Sequence, residues 1–281
     1  MENLIHHLGV VTRTVKTVDR DGKPATAVVA ASALAQQPAK PYEPQRGQAG
    51  KDVIWIPTPQ GLVDRMLEMA KVTPQDYVID LGSGDGRTVI TAAKLGAKAH
   101  GIEYNPEMAE FAKRKAKEAG VEGTATFANA DIFQSDFSQA TVVTLFLLPA
   151  LNVKLRPIIL KMKAGTRVVS NSFDMGDWEA DQTAEAKGEC TSYCRAFLWI
   201  VPASAAGSWK AGDRTFSFEQ TYQMVSGKIA AGNVITPITK GRFNGAELKF
   251  SAAGTEYVVQ VAGDTMKGTA GGQPFEATRV K

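Results

Sequence analysis

Gly82, Gly84 and Gly86 follow Asp80 at single-residue spacing and enclose Asp85. Glycine lacks a Cβ and takes φ > 0 readily, so backbone here can come close to a ligand. Val78, Ile79 and Leu81 read as a buried strand leading in. Thr88-Val-Ile-Thr-Ala-Ala reads as a helix leading out, and its N-terminus offers free N–H groups and a positive dipole end. A dinucleotide site would read G-x-G-x-x-G. This loop is G-x-G-x-G with two acids, which repel a pyrophosphate and suit a ligand with a positive or zwitterionic end. Asp80 is placed to hold the loop or to meet such an end through water, and Ser83 lies within the loop.

Two further acids stand at strand ends. Glu103 closes the apolar run from Ala97 to Ile102, where an acid accepts hydrogen bonds from both ribose hydroxyls. Tyr104 and Asn105 follow it. The run Ala125 to Phe127 leads to Asn129-Ala130-Asp131-Ile132, where Asp131 could hold an adenine amino group.

The elements that must position these residues alternate. Strands are expected near 77–81, 98–103, 124–128, 140–146 and 166–171, with helices near 87–95, 106–119 and 150–161. Ala196 to Val201 makes a sixth strand. Leu62, Val63, Met66, Leu67, Met69 and Ala70 give an earlier helix one apolar face, with Thr58 as cap and Pro59 at its first position. This alternation predicts a Rossmann-like α/β fold, a parallel sheet with helices on both faces.

Asp80-Leu-Gly-Ser-Gly-Asp-Gly-Arg, Gly101-Ile-Glu-Tyr-Asn-Pro and Ala130-Asp-Ile-Phe resemble the first three motifs of class I S-adenosylmethionine-dependent methyltransferases. The resemblance covers roughly residues 52 to 203. Pro57-Thr58-Pro59, Leu147-Leu148-Pro149 and the stretch Ser170 to Trp178 are similar to small lysine methyltransferases that act on the ATP synthase c subunit and the adenine nucleotide translocase. The resemblance implies S-adenosyl-L-methionine as cofactor, Pro57-Thr58 in its pocket, Phe146 beside the methyl group, a seventh strand antiparallel to the rest, and an amine acceptor, protein lysine among the candidates. Phe146-Leu-Leu-Pro149 replaces the Asn/Asp-Pro-Pro-Tyr of adenine- and glutamine-directed enzymes. Such an apolar wall can align a substrate or desolvate a lysine so that its pKa falls. Asn171, Ser172 and Asp177 are candidate substrate contacts that turns also use. No general base stands out, so catalytic residues, acceptor and oligomeric state stay unassigned. A cofactor-retaining scaffold is the alternative. The missing G-x-G-x-x-G disfavours an oxidoreductase.

Charge narrows the partners. Residues 51–204 carry 17 basic and 19 acidic side chains, which argues against a nucleic acid held in a basic groove. The run Lys113-Arg-Lys-Ala-Lys117 reads as a solvated helix face. Three histidines and two cysteines make no convincing metal set, and Cys190 and Cys194 could be free or bridged. No run reaches transmembrane length.

Residues 1–50 are expected to be an N-terminal segment and linker. Ala25 to Ala35 follows Lys16, Arg20 and Lys23 and ends in Ala33-Leu-Ala35, resembling a secretory signal in an unusual position. Cytoplasmic and exported readings both remain open. Residues 36–50 have linker composition. After a methyltransferase-like domain at 51–203, residues 205–281 change texture. Short alternating runs separated by glycines predict an antiparallel meander or small barrel, a β-rich module read as an appendage or an aid to substrate capture.

Overall fold

The computed structural model describes residues 11–31 and 42–280. The first stretch is a hairpin, β1 (Val11–Val18) and β2 (Pro24–Ala31), paired antiparallel from Val18↔Pro24 to Val11↔Ala31. Asp19 Oδ1 accepts from the backbone N–H groups of Asp21 and Lys23 and shapes its turn. The signal-like Ala25 to Ala31 is thus a strand, while Ala33-Leu-Ala35 lies outside the described residues.

The second stretch opens on irregular chain from Tyr42 to Pro59. Linker composition misleads here: the Tyr42 ring stands edge-on to Phe111 at 6.3 Å, and Gly47 and Trp55 face each other through a 2.8 Å backbone bond. The alternating elements follow: α1 (Gln60–Met69), β3 (Tyr77–Leu81), α2 (Arg87–Lys94), β4 (Lys98–Glu103), α3 (Pro106–Glu118), β5 (Ala125–Asn129), β6 (Val142–Leu145), α4 (Pro149–Ile159), β7 (Arg167–Asn171), β8 (Gln182–Glu185) and β9 (Arg195–Ile200). Strand order is β5-β4-β3-β6-β7-β9-β8.

The first five strands run parallel, and β9 lies antiparallel to both β7 and β8. The expected antiparallel strand is therefore the one read as sixth in line. The strand that sequence did not locate is β8, a four-residue edge with no fully buried position. One sheet face packs on α1, α2 and α3 through Leu62, Leu67, Val89 and Ala112; the other packs on α4 through Leu155 and Ile159. Asn105 caps α3 by accepting from the N–H groups of Glu107 and Met108, with Pro106 at the first position, as its sequence suggests.

Beyond Val201 the chain forms a closed eight-stranded barrel: β10 (Gly207–Ala211), β11 (Arg214–Thr221), β12 (Met224–Ala231), β13 (Val234–Asn244), β14 (Glu247–Ala252), β15 (Thr255–Ala262), β16 (Thr265–Ala270) and β17 (Gln273–Arg279). Neighbours in sequence pair in space, and β10 meets β17 at Trp209↔Arg279. The interior is filled rather than hollow. Phe216, Phe218, Phe250, Tyr257 and Phe275 pack ring on ring, the tightest pair being Phe250 and Tyr257 at 4.4 Å. A Cβ on Gly227 would stand 1.9 Å from the Ser217 carbonyl oxygen, so that crossing of β11 and β12 requires glycine.

The barrel is fastened at the turn before β12. Gln223 is buried; its Oε1 accepts from Trp178 Nε1 at 2.9 Å and its Nε2 donates to the Glu179 carbonyl. Tyr222 stacks on Trp178 and donates to Asp177. Asp177 also pairs with Arg156. That places Asp177 at the junction between the sheet half and the barrel.

Candidate active site

A cleft of about 570 Å³ opens where the parallel strands end. In open parallel sheets, ligands sit in this place because strand order reverses there. The reversal falls between β3 and β6, and the Asp80–Arg87 loop stands on it.

All three glycines are left-handed, with φ of 80°, 53° and 81° at Gly82, Gly84 and Gly86. They do different work. Gly82 and Gly84 line the cleft. A Cβ on Gly84 would lie 2.5 Å from Trp55 Nε1, so the loop lets the irregular chain close down on it. Gly86 lies outside the lining, and its missing Cβ leaves room for Phe127 and Ala112 at under 3 Å. Its missing Cβ serves the packing of the start of α2 against β5 and α3. Ser83 lines the cleft with a buried hydroxyl that has no hydrogen-bond partner.

The acids divide likewise. Glu103 Oε2 accepts from Gly84 N–H and Oε1 from Asn105 N–H, both at 2.9 Å. The carboxylate is thereby fixed in direction, and each oxygen keeps a second lone pair. Asp80 is buried beneath the loop and accepts from Thr144 Oγ1 at 2.6 Å. Burial pushes its pKa up to about 7, with Asp85 and Glu103 adding to the rise and the Thr144 bond opposing it. Asp85 accepts from Arg87 N–H at the start of α2 and pairs with the Arg87 guanidinium. Arg87 also donates to the Thr58 carbonyl at 2.8 Å.

Thr58 does not cap α1. The cap position is Pro59, without a side-chain bond, and the Thr58 hydroxyl accepts from Asn171 Nδ2 at 3.1 Å. A buried Asn171 needs a partner more than an accessible helix end does. Pro57 and Thr58 both line the cleft.

Tyr104, Asn105, Asp131 and Ile132 form one end of the cleft. Asp131 pairs with Lys51 at 2.6 Å and accepts from Phe133 N–H, which together hold it below the usual carboxylate range. Lys51 Nζ also sits 4.6 Å from the Tyr104 ring centroid. Phe146, after β6, forms the opposite wall with Phe173 and Tyr193. No local pattern in the sequence marks Lys51 or Tyr193 as site residues, and Phe173 is marked only by the resembling stretch Ser170 to Trp178. Trp55, an indole just beyond a linker-like stretch, is the one visible signal for the segment that closes on the loop.

His100 lies on β4 and bonds Thr126; burial and Lys98 lower its pKa. Among the described residues no three His, Cys, Asp or Glu side chains gather as a metal set, and no helix is long and apolar enough to cross a membrane.

The strand order, the glycine loop over a buried acid and the directed acid at the end of β4 define an S-adenosylmethionine-dependent methyltransferase. The ANTKMT methyltransferase domain matches residues 80–182. A protein-lysine N-methyltransferase of Saccharolobus islandicus (strain REY15A) is 44% identical over 152 residues, 53% of this chain and 94% of that protein. The chain belongs to this family of methyltransferases. The lysine N-methyltransferase of the ATP synthase c subunit in Mus musculus is 33% identical over 130 residues, 46% of this chain; the match spans about half that protein, 52%. Among solved structures, an RNA methyltransferase from Salinibacter ruber in complex with S-adenosyl-L-homocysteine is 47% identical, with a TM-score of 0.50 over 53% of this chain and 95% of that one.

Proposed function

We propose that the protein methylates the ε-amine of lysine in a protein acceptor. The observation that carries this reading is the apolar, aromatic wall of Phe146, Phe173 and Tyr193 at the acceptor end of the cleft. An amine must be neutral to act as nucleophile, and an apolar wall disfavours its ammonium form. The Saccharolobus relative, a protein-lysine methyltransferase, supports the same acceptor.

S-adenosylmethionine fits the rest of the cleft and brings an activated methyl group on a sulfonium. Glu103 would receive the ribose hydroxyls on its free lone pairs, Asp80 would face the cationic end, and Asp131 would take the adenine amino group in exchange for Lys51. The chain's contribution is alignment and exclusion of water. With the cofactor bound, the sulfonium would supply the methyl carbon, whose bond to the amine nitrogen would form as the carbon–sulfur bond breaks, and the alkylammonium would lose its proton to water.

The Salinibacter structure raises RNA as a second acceptor. Charge disfavours it. Within the basic run on α3, Lys113 pairs with Glu110 and Lys115 with Glu118, while Arg114 donates to the Tyr42 carbonyl. Intact-protein mass spectrometry of extracts from cells with and without the chain tests the reading. Lysine residues about 14 Da heavier per methyl, only in cells that hold it, are expected; methylated RNA with unmodified protein would overturn it.

A further inference from the structure

Three aromatic rings close one end of the cleft, and only Phe146 and Phe173 lie in stretches that resemble the family's motifs. Phe146 and Phe173 lie 6.1 Å apart with planes 23° from parallel. Tyr193 leans on both, at 5.2 Å and 6.0 Å, with planes 63° and 58° away. All three are only partly buried. Rings that served only the core would be covered, as Phe137 and Trp199 are.

Their presentation is strained. Ser172, next to Phe173, has φ 60°, and Tyr193 itself has φ 57°. Left-handed backbone at a bulky residue persists where surroundings enforce it and gathers at functional sites. At Ser172 the enforcement is a 2.7 Å bond from its N–H to the Arg195 carbonyl. At Tyr193 it is covalent: Cys190 and Cys194 are joined, closing a five-residue loop with Tyr193 inside it.

We infer that Tyr193, held by the Cys190–Cys194 bridge, completes a three-ring subsite that takes the acceptor's lysine side chain and sets its affinity. The inference rests on the lysine reading above. The rings offer apolar surface to the methylene stem of lysine, which packs along them while its amine points toward the methyl group. The bridge acts through Tyr193 and touches no substrate. A dithiol opens it by passing two hydrogens to the cysteine sulfurs while its own sulfurs join. The loop then relaxes, and the third wall is lost.

Polylysine and radiolabelled S-adenosylmethionine test this in the full chain. Tyr193→Ala should raise KM for polylysine about tenfold, with melting temperature and S-adenosylhomocysteine affinity close to those of wild type. Tyr193→Phe should behave as wild type. Opening the bridge with dithiothreitol and alkylating the thiols should raise KM comparably in wild type and no further in Tyr193→Ala. Unchanged KM in Tyr193→Ala overturns the subsite. Equal added effects of opening the bridge in both backgrounds overturn its action through Tyr193. A wild type that binds S-adenosylhomocysteine yet leaves polylysine unmethylated overturns the lysine reading itself, and this inference with it.

Discussion

The α/β sheet and the β-barrel are both well packed, but they treat polar groups in opposite ways. Beneath the sheet's cleft, Asp80, Ser83, Thr144, Asn152 and Asn171 are buried, and Ser83 Oγ and Asn152 Oδ1 lack partners. In the barrel half, the one buried polar side chain among the described residues is Gln223, and it faces Trp178 of the sheet half. Burying polar groups costs stability unless each is satisfied. Among the described residues, buried polar groups without partners fall in the sheet half. The barrel's interior is filled by packed rings and aliphatic side chains.

Gly84→Val is the severest test on the sheet side. A branched side chain cannot take φ 53° cheaply and would strike Trp55. Calorimetry should show no measurable binding of S-adenosylhomocysteine, with the fold largely retained. Normal affinity and normal melting would contradict the role given to the loop.

Phe250→Ala is the counterpart in the barrel. It removes a buried ring that stacks on Tyr257 and should cost about 3–5 kcal/mol. Affinity for S-adenosylhomocysteine should stay within twofold. Denaturant unfolding reads the first effect and calorimetry the second; a large loss of affinity would give the barrel a part in the cleft.

Glu103→Ala should weaken S-adenosylhomocysteine by about 1.5–3 kcal/mol, the range for hydrogen bonds to charged groups. Some of that loss comes from freeing the Gly84 and Asn105 N–H groups. Unchanged titration would remove Glu103 from the ribose site.

The smallest effect is a pH dependence. Asp80, with its pKa near 7, is mostly protonated below that pH and ionised above it. A ligand with a cationic end prefers the ionised form, so affinity should rise as pH goes from about 6 to 8, by at most about tenfold per unit for one proton. Asp80→Asn should flatten the profile. A profile as steep in the variant would place the titrating group elsewhere.

Legibility follows locality. The glycine loop, Glu103 and the α3 cap can be read because each depends on residues within a few positions. Strand β8 cannot, because Gln182–Glu185 is an exposed edge without an alternating pattern. Thr58 departs from its capping preference for a related reason: that preference is local, whereas its actual partner, Asn171, is 113 residues away. Lys51 and Trp55 lie just beyond linker-like composition, and nothing nearby in sequence tells that segment what it will lie on.

Hydrophobic period and turn chemistry act over short spans. For that reason the parallel sheet, the cofactor loop with its two strand-end acids, and a separate β-rich module all follow from the order of residues alone. The folded chain was needed to show that this module closes into a barrel, that Gln223 and Tyr222 fasten it to Trp178, and that Phe146, Phe173 and Tyr193 meet. Those contacts join residues tens of positions apart. They depend on how strands are ordered and where loops land, which no single stretch of chain encodes.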